Sequence, residues 1–182
     1  LNEGCIPTKT LLHSANLLDE IREAKAFGIE VEGAITPHYA AIAARKDKVV
    51  QTLTSGVAYK LKGAGVTVIQ ETARLSGEEG DRILVTAGQE TYSVSFVLLA
   101  TGSSTIIPSI PGLDKVNYWT SREALAAKTL PEDVTIIGGG VIGVEMDRIC
   151  WYLLFAMSTG AGHRDGSGDP WCHGWRDLGD AT

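Results

Sequence analysis

The chain has 182 residues, 44% hydrophobic and 21% charged, with a formal net charge of −6, which is room for one sizeable domain and part of another. The acidic balance, uninterrupted by a basic run, argues against nucleic acid as the main partner. The longest apolar stretch, "WYLLFAM", is far too short to span a membrane. Three widely spaced cysteines make no disulfide framework and no leader with a cleavage site is visible, so a reducing, cytoplasmic setting is expected.

The stretch "IPTKTLLHSANLLDEIREAKAFG" reads as a helix with both ends marked. Pro7 suits a first turn, where its missing N–H costs nothing. Leu11, Ala15, Leu18, Ile21 and Ala24 recur at helical spacing, and Gly28 is a C-terminal cap. A second helix is expected after Thr36 as N-cap and Pro37 as first residue. Its buried stripe would be Ile42, Val49, Leu53, Val57 and Leu61, and "GAG" at Gly63 to Gly65 would end it.

The pattern then turns to β. "VTVIQETARL", "RILVTA" and "ETYSVSFVLLA" are short and β-branched, with "SGEEGD" a turn between the first two. The near-continuous apolar run "FVLLA" predicts a strand covered on both faces, as in a parallel sheet. It stops at "TGSS". "IIPSIPGLD" reads as a linker, and "TSREALAAKTLPED" as a short helix capped by Ser121 and stopped by Leu130-Pro131.

"VTIIGGGVIGVE" is the second landmark. Val134 to Ile137 predict a buried strand, and Gly138, Gly140 and Gly143 then form G-x-G-x-x-G at the start of a helix. The first glycine permits a tight turn, the second lets a pyrophosphate approach the backbone, and the third lets helix and strand pack closely. Such a unit calls for a second apolar strand ending in an acidic residue about 20 residues on. None is visible. From Cys150 onward stand three of the four tryptophans, two of the three cysteines and six glycines, without a lysine. This break predicts that residues from about Met146 are not the native continuation and arise from a shifted reading frame.

Cys5 on its own reads as a small buried hydrophobe or as a reactive thiol. Its surroundings favour the second: it stands at a helix start, where the dipole favours a thiolate, with Lys9 one turn on and Gly4 before it. Cys150, His163, Cys172 and His173 match no zinc spacing, so no metal is expected. His13 reads as a helix-face residue.

"LNEGCIPTK" resembles the end of the redox-disulfide motif of the flavin-dependent pyridine nucleotide–disulfide oxidoreductases. "VLLATGS" resembles that family's second FAD motif, "IIGGGVIGVE" its NAD(P)-binding turn, and "IPSIPGLD" the bridge between them. The resemblance covers residues 1 to about 145, and "GCIPTKTLLHSA" is most similar to the dihydrolipoamide dehydrogenase branch. Glutathione and mercuric reductase-like members, or a non-catalytic dinucleotide-binding remnant, are the alternatives.

The resemblance implies an α/β architecture. A partial FAD-binding domain at 1–114, with helices, parallel strands and an antiparallel β insertion, would precede the start of a Rossmann-type NAD-binding domain at 115–146; 147–182 would be a non-native or disordered tail. It implies that Cys5 is the flavin-proximal cysteine, Lys9 the lysine near flavin N5, and Glu145 the carboxylate paired with that lysine. Thr101, Gly102 and Ser103 would touch FAD, and the backbone of Ala73 would lie by its adenine. Gly138, Gly139, Gly140, Val141, Ile142, Gly143 and Glu145 would form the NAD turn. Each has a plainer alternative: a strand-to-turn junction at Thr101-Gly102, a ligand-free turn at the glycines, solvated charges at Lys9 and Glu145.

The implied reaction oxidises dihydrolipoamide or a related dithiol through a Cys–Cys disulfide and FAD, with hydride transfer to NAD. The implied enzyme is a homodimer that serves a 2-oxo acid dehydrogenase complex. The exchange cysteine would stand immediately before Leu1, and the acid–base histidine in a further domain. The expectation is therefore that this polypeptide alone is inactive and binds FAD poorly.

Overall fold

Residues 1–158 are described in the computed structural model. Within them lie α1 (Cys5–Glu23), α2 (Tyr39–Gly63), β1 (Ala73–Glu79), β2 (Arg82–Ala87), β3 (Glu90–Val94), α3 (Ser121–Ala126) and α4 (Val141–Ser158). They fall into two units, each discontinuous in sequence. One combines Leu1–Thr10 with Ala43–Ala127, the other Leu11–Ile42 with the described residues from Lys128 on.

α1 carries its apolar residues at helical spacing and buries Leu11, Ala15 and Leu18. It passes into a 3-10 turn, Ala24–Phe27, which Gly28 closes at φ 78°, the left-handed conformation in which glycine has no Cβ to clash. The Ile29 N–H then donates to the Ala24 carbonyl at 3.0 Å. In the same unit α4 buries Met146, Ile149 and Leu153, again at helical spacing. The Tyr152 hydroxyl donates to Asp19 of α1, and the Arg148 guanidinium lies 5.6 Å from the Tyr152 ring centroid. Residues 147–158 of the expected tail are thus helical, and the remainder of that tail lies outside the described residues.

α2 departs from the expected stripe. It starts at Tyr39 and buries Tyr39, Ala43 and Lys46, whereas Leu53, Val57 and Leu61 are exposed. An apolar stripe is buried only where another element packs on it, and the described residues supply none along the C-terminal half of this helix. The helix ends at Gly63 as expected; Gly65 adopts φ 70° and the Val66 N–H donates to the Leu61 carbonyl at 3.0 Å.

The sheet is an antiparallel meander in the order β1-β2-β3. Its first turn is tighter than "SGEEGD" implied: β1 runs through Glu79, which faces Arg82, and Gly80 turns the chain at φ 65°. A bulge between Leu75 and Gly77 leaves Ser76 outside the register. The Ser76 hydroxyl donates to the Leu84 carbonyl at 3.2 Å and accepts from the Thr86 hydroxyl at 2.9 Å. Arg82 binds across to Ser93 and Ser95.

Three apolar runs expected to be extended strands, of which "FVLLA" had the composition of a parallel one, are not strands. Residues 66–70, 96–100 and 134–137 have no ladder partner, and Phe96 and Leu98 are 90% and 91% exposed. A hairpin strand finds its partner a few residues away. A parallel strand needs neighbours brought in by crossover connections, and the described residues provide none for these runs. Among the described residues the antiparallel meander is the sheet that forms.

The linker holds two turns. The Ile110 N–H donates to the Pro108 carbonyl at 2.9 Å, and Gly112, at φ 87°, leads into a 3-10 turn at Leu113–Lys115. α3 is capped by Thr120 rather than Ser121. The Thr120 hydroxyl accepts from the Arg122 N–H at 3.3 Å, and its own N–H donates to Glu123 Oε2 at 2.8 Å, a capping box. α3 ends at Ala126, four residues short of the expected Leu130 stop.

Candidate functional site: a thiol at a helix start and a glycine turn

Cys5 is the first residue of α1, and Lys9 stands one turn on. Residues four apart on a helix share a face, and both side chains are exposed while Pro7, Thr8 and Thr10 between and beyond them are buried. The turn is locally reinforced: the Thr8 N–H and hydroxyl both donate to the Gly4 carbonyl, at 3.1 and 2.7 Å, and the Thr10 hydroxyl donates to the Ile6 carbonyl at 2.8 Å. A free thiol is therefore presented at a helix N-terminus beside a cation, on the solvent side of a fixed turn.

The second free thiol, Cys150, is of the opposite kind. It lies within α4, and burial, with Asp147 nearby, pushes it up to about 11, so it stays protonated at neutral pH. His13, read as a helix-face residue, is exposed on α1. Among the described residues no group of His, Cys, Asp and Glu is placed to hold a metal ion, and no helix is long and apolar enough to cross a membrane. His163, Cys172 and His173 lie outside the described residues.

In the other unit, Gly138 to Gly143 make a turn whose glycines have separate reasons. Gly138 adopts φ 108°. A Cβ on Gly143 would run into the Gly138 carbonyl oxygen, with the carbonyl carbon at 3.1 Å and Ile136 Cγ2 at 3.7 Å, so the first turn of α4 rests directly on the incoming backbone. At Gly140 a Cβ would meet nothing within 4 Å, and the Val144 N–H donates to its carbonyl at 3.1 Å. The open space lies at the N-terminus of α4, an 18-residue helix whose first N–H groups favour an anion. This geometry fits a pyrophosphate over Gly140. Gly139 belongs to the same turn; Val141 and Ile142, the first two residues of α4, are exposed, and Glu145 on the next turn is half-buried.

Of the remaining expected residues, Gly102 adopts φ 81° between exposed Thr101 and Ser103, just after the apolar run 96–100. Ala73 is the exposed first residue of β1. The structure thus brings Cys5 and Lys9 together on one helix face and Gly138 and Gly143 together in one turn. Lys9 lies in the first unit and Glu145 in the second.

Sequence reasoning missed two basic groups in the unit that holds Cys5. Lys46 is buried on α2, where its Nζ donates to the Leu125 carbonyl at 2.6 Å, and the neighbouring Arg45 donates to the Thr10 carbonyl at 3.4 Å. The signal was present in the spacing: Lys46 falls four residues after Ile42 and three before Val49, on the stripe expected to be buried, but a lysine there is not apolar and was not counted with it. The Thr120–Glu123 box was legible as a T-x-x-E pattern. Its hydrogen bonds to Thr120, foremost the side-chain one, hold the Glu123 carboxyl below its ordinary value.

One unit thus presents an exposed thiol at a helix start, one turn from a lysine, and the other a glycine turn that opens a helix. The pyridine nucleotide-disulphide oxidoreductase family model covers residues 1–152, and the chain belongs to that family. It is 40% identical over 153 residues to a dihydrolipoyl dehydrogenase of Acholeplasma laidlawii, covering 82% of this chain and 44% of that protein. It is 41% identical over 146 residues to that of Bacillus subtilis, covering 80% and 32%. In fold it is similar to the crystal structure of LpdA from Mycobacterium tuberculosis, with a TM-score of 0.66, 24% identity, and coverage of 81% of this chain and 34% of that one. The chain spans less than half the length of these relatives.

Proposed function

We propose that this chain carries the flavin-proximal thiol and the NAD-binding turn of a dihydrolipoamide dehydrogenase-type enzyme. The observation that carries the reading is the shared exposed face of Cys5 and Lys9 at the start of α1. The similarity to relatives named dihydrolipoyl dehydrogenase supports this branch of the family over its disulfide reductases. When bound, FAD supplies two-electron acceptance from a dithiol and hydride donation to NAD.

The chain's own residues have simpler tasks. Cys5 would be the sulfur that faces the flavin, and Lys9, one turn on along the same helix face, would bring a positive charge to the same locus. Thr101, Gly102 and Ser103 would hold FAD, with the backbone of Ala73 by its adenine. Gly138 to Gly143 take the NAD pyrophosphate, Gly140 by leaving its face open and the N-terminus of α4 by its N–H groups. In this reading the substrate is dihydrolipoamide or a related dithiol. The intact enzyme is a homodimer within a 2-oxo acid dehydrogenase complex.

Titration of the chain with NADH, followed by nicotinamide fluorescence, tests the reading. Saturable binding that Gly140→Val abolishes is the expected result. Binding unaffected by Gly140→Val, or no binding at all, overturns it. Flavin absorbance after reconstitution with FAD, with and without a dithiol, then reports the thiol half.

A further inference from the structure

We propose that Lys46 is a positioning residue for the Cys5–Lys9 turn, acting through α3. The inference rests on the proposed role of Cys5 as the working thiol and adds a residue that this reading does not include.

Lys46 is 4% exposed. Lysine is almost never buried unless its charge is met, because an unpaired ammonium in the interior is costly. Here Nζ has two partners: the Leu125 carbonyl at 2.6 Å and the Asp47 carboxylate at 2.9 Å. Leu125 is in the last turn of α3, where carbonyls lack a helical N–H, so the ammonium supplies a donor that the helix cannot. α3 has six residues, too few to hold its own conformation, and its placement therefore depends on what grips its ends.

Its other end reaches the thiol segment. Arg122, in the first turn of α3, pairs with Glu3 at 2.5 Å, two residues before Cys5. That pair is exposed and contributes little alone. Next to Lys46, Arg45 donates to the Thr10 carbonyl at 3.4 Å, just beyond Lys9. The polar contacts form a ring: Glu3 to Arg122, along α3 to Leu125, across to Lys46, and from Arg45 back to Thr10. The Cys5–Lys9 turn is the arc this ring closes, and its buried ion is Lys46. All of these residues belong to one unit.

The test compares the full chain with Lys46→Met, which keeps the length and apolar stem but removes the charge, and with Lys46→Arg. Cys5 alkylation by iodoacetamide is followed across a pH series on the tryptic peptide ending at Lys9, with circular dichroism of the same samples. Lys46→Met is expected to slow Cys5 alkylation at neutral pH by about two- to fivefold, the usual worth of a helix N-terminus to an anion. Lys46→Arg is expected to restore the rate. A folded Lys46→Met chain with the wild-type rate and pH profile overturns the proposal. If Lys46→Met loses helicity, Arg122→Gln opens the same ring at its exposed side: slower alkylation supports the proposal, and the wild-type rate overturns it. NADH binding is read in parallel. Its absence in the wild-type chain sinks the functional reading, while a Lys46 effect on Cys5 would still stand.

Discussion

The carbonyl of Gly138 lies against the Cα of Gly143, so closely that a single added methyl has no room. Gly143→Ala is therefore expected to push α4 off the turn. The cost should be roughly 1–3 kcal/mol, the usual penalty for forced overpacking, read as a lowered denaturation midpoint. Gly140→Ala meets nothing within 4 Å and should change stability by less than about 0.5 kcal/mol, yet weaken NADH binding. Equal stability losses in the two variants would contradict the assigned roles.

Leu11 and Leu153 are the largest side chains fully buried among the described residues, one on α1 and one on α4. Truncating either to alanine should cost about 2–5 kcal/mol. Urea unfolding followed by helicity is the measurement. A Leu153→Ala chain as stable as wild type would mean that this part of α4 does not pack.

Cys5 and Cys150, the two cysteines among the described residues, should separate by reactivity. Cys5 is exposed and should alkylate at neutral pH, whereas Cys150, pushed up to about 11, should stay unlabelled until the chain is unfolded. Because the folded state holds that proton more tightly than the ordinary 9.0, the Cys150 contribution to stability is fully present below about pH 9. It is lost as pH rises through about 11. Cys150→Ser should remove that alkaline component of the stability curve.

The α3 cap should titrate in the opposite direction. Hydrogen bonds from Thr120 hold Glu123 below its ordinary 4.5. The contribution of Glu123 is thus present above that value and lost as acid carries the pH below it. Thr120→Val removes the hydroxyl and should flatten this acid limb, while Ser121→Ala should leave it unchanged. The comparison distinguishes the observed cap from its neighbour.

Much of this molecule was legible along the chain because the relevant interactions are local. Gly28 and Gly63 to Gly65 end helices as their conformational freedom predicts, and "RILVTA" pairs with its neighbours across tight turns. The candidate site was legible for the same reason: Cys5 and Lys9 are one helical turn apart, and the glycine spacing alone marks the turn that Gly138 and Gly143 close. Misjudged features depended on distant segments. Leu53, Val57 and Leu61 have the spacing of a buried stripe, and "FVLLA" the composition of a buried strand, but burial requires a second surface that no local pattern specifies.

The sequence by itself determined the local arrangement: a thiol at a helix start with a cation one turn away, a glycine turn at the start of a helix, and a hairpin meander. These follow from backbone freedom, helical period and neighbours within a few residues. Tertiary structure alone decided that Lys46 is tied to a carbonyl 79 positions away, that Cys150 is half-buried while Cys5 is exposed, and which apolar runs are covered. Desolvation and long-range hydrogen bonding belong to the packed arrangement of separate segments, and a linear pattern of residue types does not contain that arrangement.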